Sequence, residues 1–152
     1  MSTSGFPSPQ EARALLDTFL KARNEARLDL LDSVFAPDYV AHDPSFPQPL
    51  VGLETAKLQY MTMHRAAPDV TFTIEDFFVK DDRMVSVFTM AGTITGPFAT
   101  PMGELPPTGK SFQLTGTSVD RIAGGKIVES WVYFNPLDLL LPLGFVLAPP
   151  AV

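Results

Sequence analysis

Apolar positions in the first part of the chain recur at helical spacing. Residues 8–11, SPQE, have the features of a helix start: Ser8 can cap the first turn, proline is favoured at the first helical position, and Glu11 can complete a capping box. The residues that follow predict an amphipathic helix whose apolar side is formed by Leu15, Leu16, Phe19 and Leu20.

Two more helical patterns follow before the period changes. The first, at about 29–35, is expected to end at Pro37 and to lead into a short extended piece at 39–43. A loop with three prolines covers 44–52. The second pattern predicts a helix over 53–66, ended by the proline at 68, with an apolar side formed by Leu53, Ala56, Tyr60, Met63 and His64.

From residue 70 onward the pattern is typical of strands. Four long strands are predicted at 70–80, 83–95, 110–122 and 126–135, with tight turns at 81–82 and at the glycine pair 124–125. The loop between the two middle strands is rich in proline and glycine and is expected to form a rim or lid. Helices followed by antiparallel strands predict an α+β fold. We expect a cone-shaped barrel in which N-terminal helices pack on a strongly bent, mainly antiparallel sheet and enclose a pocket.

The last predicted strand has two chemically different faces. Glu129, Trp131, Tyr133 and Asn135 alternate onto one face, which we interpret as the pocket wall. Two valines and a phenylalanine dominate the other face, which we interpret as packed core. A buried Asn135 amide without partners would cost about 1–3 kcal/mol, so this residue in particular points to a site.

Pairing across the glycine turn extends this wall to the neighbouring strand. If 124–125 is the centre of a regular hairpin, Ser118 lies opposite Trp131 and residue 116 lies opposite Tyr133. Ordinary core packing is the alternative for any single aromatic residue. Further side chains expected on the same side are Phe88, Met90, Ile94, Phe112, Leu114 and Asp120.

Composition and charge narrow the range of functions. The 152 residues, 45% of them apolar, fit one domain over 1–152 with a flexible N-terminus at 1–7 and a proline-rich tail at 145–152. The net charge of −6, with no two consecutive Lys or Arg residues, argues against a nucleic-acid partner. The absence of cysteine excludes disulfides and thiolate metal sites. No secretory signal or membrane span is predicted, so a cytoplasmic location and a small apolar organic partner are the default expectations.

The chain has two histidines, and one of them is next to a carboxylate. His42 and Asp43 together could move a proton, but in an extended segment they point to opposite sides, so one of them is expected to face the pocket. Asp43, which precedes a proline, could instead form a turn. His64 is either a hydrogen-bonded structural residue or a contact to substrate. Two histidines at this spacing match no metal-binding motif.

Six short segments occur in a characteristic order between about residues 35 and 144. They are YVAH at 39–42, GLE at 52–54, GTITGPF at 92–98, PPTGK at 106–110, GKIVESW at 125–131 and LLPLG at 140–144. In this order and spacing the chain resembles the SnoaL-like polyketide cyclases and ester cyclases of the nuclear transport factor 2-like superfamily. The resemblance implies an α+β cone with a buried pocket, often a homodimer, and chemistry without a metal or organic cofactor.

The resemblance also implies site residues, and at one position the chain departs from it. The polyketide cyclases place an acid/base Asp four residues after the strand Trp, where this chain has Asn135. An amide cannot shuttle a proton at neutral pH, but it can donate a hydrogen bond to an enolate. Ketosteroid isomerases of the same superfamily carry their base in an Asp-Pro pair that matches residues 43–44. Their oxyanion-hole Tyr and Asp would fall at Phe19 and Ser118, so that hole is not reproduced.

Taken together, these features predict a cofactor-independent enzyme for a small, largely apolar carbonyl or polycyclic substrate. The reaction would be aldol cyclisation, or isomerisation or dehydration through an enolate, with Asp43 or His42 as base and Asn135, alone or together with Tyr133, as hydrogen-bond donor. The alternatives are a non-catalytic module that binds hydrophobic small molecules and an epoxide hydrolase, although neighbouring residues 120 and 121 face apart and disfavour the latter's Asp-Arg-Asp relay. The predicted substrate-binding residues are Tyr39, Tyr60, His64, Phe88, Phe112, Ser118, Trp131 and Tyr133.

Overall fold

The structure, a computed structural model, describes residues 5–100 and 102–151; residues 1–4 of the predicted flexible N-terminus and residue 152 of the predicted tail lie outside them. Two long helices, two short helical segments and eight strands make up the described chain. The helical elements are α1 (Pro9–Asn24), a 3₁₀ turn (Leu28–Ser33), α2 (Leu53–Ala66) and α3 (Leu137–Leu140). The strands are β1 (Phe35–His42), β2 (Leu50–Val51), β3 (Thr71–Lys80), β4 (Arg83–Thr93), β5 (Phe98–Thr100), β6 (Gly103–Leu105), β7 (Ser111–Ala123) and β8 (Lys126–Phe134).

The helix boundaries follow local signals in the sequence. The Ser8 hydroxyl accepts the Glu11 backbone N–H at 3.1 Å, and the Glu11 carboxylate accepts the Ser8 N–H at 2.8 Å, which confirms the predicted capping box. Helix α2 has the predicted boundaries. The pattern at 29–35 forms only a 3₁₀ turn, and Pro37 lies within β1 rather than after a helix. The register of β1 shifts between Phe35 and Val40, so proline occupies a stretch without regular pairing.

Six strands form one curled sheet in the order β2-β1-β8-β7-β4-β3. All neighbouring pairs are antiparallel except β1 and β8, which are parallel. The four long strands agree with the predicted ones within two residues at each end. The proline- and glycine-rich loop contains a small separate hairpin of β5 and β6. Because helices α1 and α2 pack on the sheet, the predicted α+β class is confirmed.

A β-bulge in β8 sets the orientation of the last strand. Gly124 and Gly125 form the hairpin turn with φ of +60° and +76°, a conformation that glycine adopts at little cost. Beyond the turn, Ile122 pairs with Ile127, but Arg121 pairs with Glu129. The residue at 128 is therefore extra, and it shifts all later pairing by one residue. Such a shift reverses which side chains face the core.

Two buried apolar clusters lie between the helices and the sheet. One lies around α1, the 3₁₀ turn and β1, and includes Leu16, Leu31 and Phe35. The other lies toward α3 and includes Ile94 and Leu114. These clusters support the walls of the cavity described below. Across residues 5–100 and 102–151, no helix has the length and apolar character needed to cross a membrane.

Candidate active site

A cavity of about 540 Å³ lies between the inner face of the sheet and helices α1 and α2. Its lining is mainly apolar and includes Leu16 from α1, Phe88 from β4 and Phe134 from β8. Few polar side chains reach it, as is usual for sites that bind small organic molecules. The charged residues that line it are Arg23, Asp43 and Asp120.

Asp120 is the most deeply buried carboxylate of the cavity. It lies on β7 opposite Ser130 of β8, and only 5% of its surface is exposed. Its Oδ1 accepts hydrogen bonds from the Ser118 hydroxyl at 2.9 Å and from the Ser130 hydroxyl at 2.5 Å. Burial raises the pKa of Asp120 to about 6, although both serine hydroxyls favour the ionised form. Asp120 can therefore gain and lose a proton near neutral pH.

Two tyrosines add hydroxyl groups to the same cavity. Tyr39 comes from β1 and Tyr60 from α2, and both line the cavity wall. Burial raises the pKa of Tyr39 well above its usual value, and Tyr60 and Asp120 raise it further against the opposing effect of Ser130. Burial also raises the pKa of Tyr60, although Arg23 opposes this shift. Both phenols are therefore protonated at neutral pH and can act as hydrogen-bond donors.

Arg23 is the one cation among the residues that line the described cavity. It lies in the last turn of α1 and is 5% exposed. The guanidinium carbon lies 3.7 Å from the ring centroid of Tyr60 and 4.3 Å from that of Phe72. Its Nε is buried and has no hydrogen-bond partner among the described residues. Burial lowers the pKa of Arg23, and Tyr60, Tyr39 and Asp43 oppose this shift.

The predicted pocket face of β8 is wrong. Ser130, Val132 and Phe134 line the cavity, whereas Trp131 and Tyr133 lie on the outer face of the sheet. Tyr133 is 61% exposed. The physical reason is the bulge, because regular pairing would have placed the opposite set of side chains inside. The predicted inward face of β7 is correct, although the predicted register between β7 and β8 is wrong by one residue.

His42 also lies on the outer face of the sheet. Its Nε2 lies 2.8 Å from the Glu129 carboxylate, and its ring stacks on Trp131 with a centroid distance of 5.3 Å. Glu129 also accepts a hydrogen bond from Arg121 at 3.2 Å, and the Arg83 guanidinium lies over the Trp131 ring. The interaction with His42, and then that with Arg121, lower the pKa of Glu129. We refer to His42, Arg83, Arg121, Glu129 and Trp131 as the outer-face cluster.

Of the other predicted catalytic residues, one reaches the cavity and one does not. Asp43 lines the cavity, and its Oδ1 accepts the Ser45 backbone N–H at 2.7 Å, so it also forms the turn that was the alternative interpretation. Asn135 is exposed and lies outside the cavity lining. Its Oδ1 accepts the Leu137 backbone N–H at 3.1 Å, so the amide starts the α3 turn instead of facing a ligand.

The predicted substrate-binding residues divide in a similar way. His64 is half-buried outside the cavity lining, and its Nε2 has no partner among the described residues. Burial, with a contribution from the Arg23 charge, lowers the pKa of His64, so its ring is neutral at pH 7. Phe112 is buried in the core rather than at the cavity wall. Tyr39, Tyr60, Phe88 and Ser118 do line the cavity, and their role in substrate binding stays a prediction.

Two residues of the site were missed by sequence reasoning, although the sequence carries a signal for each. Asp120 was placed on the inward face of its strand but was given no role, even though two polar positions, 118 and 120, interrupt an otherwise apolar face. Arg23 falls on the buried stripe of α1 formed by Ala12, Leu16 and Phe19, where a charged residue is unusual. A polar residue within an apolar stripe was the available signal in both cases.

Comparison with known proteins identifies a family for this chain. Residues 12–143 match the family model described as SnoaL-like polyketide cyclase. The chain is also similar to three solved structures from Streptomyces. TsrD from Streptomyces laurentii has a TM-score of 0.79 and 24% identity, with 91% of this chain and 98% of that chain covered. A search of curated proteins gives no match.

The other two structures differ from each other in assigned activity. AclR from Streptomyces galilaeus, provisionally assigned as a hydroxylase, has a TM-score of 0.77 and 26% identity, with 94% of this chain and 87% of that chain covered. IdmH from Streptomyces antibioticus, provisionally assigned as a polyketide cyclase, has a TM-score of 0.71 and 27% identity, with 88% of this chain and 98% of that chain covered. The fold is thus shared by proteins with different assignments.

Proposed function

Since the chain belongs to the SnoaL-like polyketide cyclase family, we propose that it is a cofactor-independent enzyme that uses Asp120 as its general base. Its substrate would be a small, largely apolar carbonyl or polycyclic compound that fits the cavity. The reaction would be an intramolecular aldol cyclisation, or an isomerisation or dehydration through an enolate. Family membership supports this class of chemistry, and the choice of base differs from the one inferred from sequence.

This proposal rests on the burial of Asp120 at the cavity wall and on the raised pKa that results. A catalytic base works best when its pKa lies near the working pH, and burial raises the pKa of this carboxyl to about 6. The two serine hydroxyls donate to the same oxygen, Oδ1, and restrain its position. Neither Ser118 nor Ser130 contacts Oδ2, which is therefore the oxygen we assign to proton transfer.

The proposed reaction begins with removal of a proton from the carbon next to a substrate carbonyl. Asp120 takes this proton, and the electron pair of the C–H bond forms an enolate whose charge lies mainly on oxygen. In a cyclisation, the enolate carbon attacks a second carbonyl carbon of the same molecule and forms a C–C bond. The resulting alkoxide then recovers the proton from Asp120, which restores the carboxylate.

The enolate needs hydrogen-bond donors, and the two phenols can supply them. Tyr39 and Tyr60 are protonated at neutral pH and lie in the electrostatic range of Asp120. Donors that are already in place lower the energy of a developing oxyanion by more than they do that of the neutral carbonyl. In this proposal Asp43, bound to the backbone of its own turn, is a wall residue rather than the base.

The test compares Asp120→Asn with Glu129→Gln. Both changes replace a carboxylate on the sheet by its amide, but only the first lies in the cavity. Aromatic and polycyclic ketones are first screened by thermal shift, and conversion of the hits is followed by mass spectrometry. We expect Asp120→Asn to lower kcat/KM by about 10²–10⁴-fold and Glu129→Gln to change it by less than about twofold. Full activity of Asp120→Asn would exclude the proposed base.

The same screen separates the enzyme from the alternative of a non-catalytic binding module. Ligands that bind the wild-type protein and are recovered unchanged across the panel would favour the binding module. For a converted ligand, kcat/KM is expected to rise with pH and to level off above about pH 6, because the ionised form of Asp120 is the active one.

We also propose a homodimer that forms through the outer face of the sheet. A cross-strand row on that face contains Phe78, Val85, Val119 and Trp131. Phe78 is 59% exposed, and Tyr133 on the same face is 61% exposed. Apolar side chains of this size are often covered in an assembly. Light scattering coupled to size-exclusion chromatography measures the mass directly, and a monomer at micromolar concentration would contradict the proposal.

A further inference from the structure

We propose that Arg23 is a carboxylate-recognition site, so that the cavity takes organic acids with one carboxylate on an apolar, aromatic body. This inference rests on the proposed function in that it treats the same cavity as the ligand site. It adds a substrate class, which the family and the acid/base chemistry leave open. Arg23 is buried, lies among aromatic rings and has no counter-ion among the described residues.

Arg23 is placed in the cavity by the geometry of α1. The helix packs on the sheet through a stripe that includes Ala12, Leu16 and Phe19, and Arg23 continues this stripe by one turn. Its side chain is 5% exposed and lines the cavity. Its charge lies near the C-terminal end of the helix, where the helix dipole favours a cation. The helix thus presents a positive charge inside an apolar chamber.

Aromatic rings hold the guanidinium in place. Its central carbon lies 3.7 Å from the Tyr60 centroid, 4.3 Å from the Phe72 centroid and 5.7 Å from the Phe19 centroid. Stacking of this kind engages the flat face of a guanidinium and orients its plane. The N–H donors of a guanidinium lie in its own plane, where they can match the two oxygens of a carboxylate. The three aromatic contacts thus restrict the positions that the Arg23 guanidinium can take.

The Arg23 charge has no carboxylate partner within the described part of the chain, and its hydrogen-bonding neighbour there is the neutral Tyr60 hydroxyl. None of the described carboxylates lies within 4.0 Å of its guanidinium, and its Nε has no hydrogen-bond partner there. Asp43 acts on it only as a more distant charge. A buried charge without a partner is costly, and a bound carboxylate would remove that cost. This favours a permanent anion over an oxyanion that exists only during the reaction.

The charge balance of the cavity favours one carboxylate over a more highly charged group. Arg23 is the single cation among the described lining residues, and Asp43 and Asp120 add negative charge. A phosphate would bring a second negative charge into this environment with no cation to match it. A carboxylate held by Arg23 on the helical wall leaves the rest of the ligand to extend toward Asp120 on the sheet.

The test uses two probes that differ only in charge: anthracene-2-carboxylate and anthracene-2-carboxamide. Their dissociation constants are measured by isothermal titration calorimetry at about pH 8, where the acid is fully ionised. The proteins are the wild type, Arg23→Met, Arg23→Lys and, as a matched control on an exposed position of the same helix, Arg13→Met. We expect the wild type and the Arg13 variant to bind the acid about 10- to 100-fold more tightly than the amide.

Arg23→Met should bind both probes with equal affinity, and Arg23→Lys should keep part of the preference, since it retains the charge but loses the planar fork. Equal binding of the two probes by the wild type, no binding of either probe, or a preference that survives in Arg23→Met would overturn the inference. If Arg23→Met fails to fold, Arg23→Lys and the wild type still decide it. None of these binding measurements needs turnover. Equal affinity for the acid and the amide would contradict the carboxylate site alone, whereas full activity of Asp120→Asn would contradict the proposed base alone.

Discussion

The two faces of the sheet differ in how completely their charged groups are partnered. On the outer face, Glu129 contacts both His42 and Arg121, and Trp131 contacts both the His42 ring and the Arg83 guanidinium. Facing the cavity, the Arg23 Nε has no partner among the described residues, and burial shifts the pKa of Asp120 to about 6. The outer-face cluster is electrostatically satisfied, whereas the groups around the cavity retain capacity to bind or react.

This difference provides a criterion for choosing between two clusters whose residue types are equally typical of active sites. The outer-face cluster contains the histidine, the carboxylate and the tryptophan that motifs emphasise. Partly exposed ion pairs at a protein surface, such as those of Glu129, usually contribute little to stability and are common. A buried, titratable group at a cavity wall is a better indicator of chemistry than a motif residue with a full set of partners.

Deleting single residues in β8 is expected to change the stability of the fold most strongly. Deleting Val128 removes the extra residue of the bulge and leaves every later side chain on its present face. Deleting Val132 instead turns Tyr133 inward and Phe134 outward, because side chains alternate along a strand. We expect the Val128 deletion to fold with about 1–2 kcal/mol less stability and the Val132 deletion not to fold. Circular dichroism and urea denaturation measure both outcomes.

These two deletions test whether the bulge alone separates the faces. A Val132 deletion that folds as stably as the Val128 deletion would show that the pairing register of β8 does not determine which face is buried. Loss of the fold in the Val128 deletion would show that the bulge itself, and not only the register, is needed for the curl of the sheet.

Local signals predicted most of the fold. The SPQE start of α1, the boundaries of α2 and the glycine turn before β8 each depend on a few neighbouring residues, and each is confirmed. The parallel pairing of β1 with β8 was not predicted, because it joins segments about 90 residues apart and has no local signal. The apolar pattern at 29–35 predicts a helix, but the structure forms a 3₁₀ turn there, because four apolar residues in close spacing fit both.

The candidate site was less predictable because its geometry depends on one residue. The sequence of β8 does not mark residue 128 as an extra residue. Because of the bulge at this position, Ser130 faces the cavity and Trp131 does not. Asp120 becomes recognisable only when Ser118 and Ser130 converge on it. Arg23 could have been singled out from the apolar stripe of α1, but its aromatic neighbours come from three different elements.

The free energy of unfolding is expected to depend on pH through Asp120. Burial raises the pKa of Asp120 from 3.8 to about 6, so between these values the folded protein binds more protons than the unfolded chain. The free energy of unfolding contributed by this group therefore falls as pH rises from about 4 to about 6, by on the order of 3 kcal/mol. Asp120→Asn lacks this penalty. Its stability relative to wild type should increase by that amount over the same interval, as measured by urea denaturation.

The Glu129 carboxylate on the outer face behaves in the opposite way. The pKa of Glu129 is lowered, so its contribution is present at neutral pH and is lost as pH falls below about 4.5. This effect is shared by wild type and Asp120→Asn and cancels in their difference. If the difference in free energy of unfolding between the two proteins does not vary with pH, Asp120 titrates like an exposed carboxyl. That result would remove the contrast between the two faces.

The smallest expected effect is at Asn135, outside both the cavity and the outer-face cluster. Its side chain accepts the Leu137 N–H and starts the α3 turn, so Asn135→Ala should cost about 0.5–1 kcal/mol of stability. Asn135→Asp keeps an acceptor oxygen and should match the wild type. Both variants should keep kcat/KM within about twofold, because the amide does not reach the ligand. A tenfold loss of kcat/KM in Asn135→Ala without loss of stability would return this residue to the chemistry, and a tenfold gain in Asn135→Asp would show that the family's usual carboxylate position is still functional in this chain.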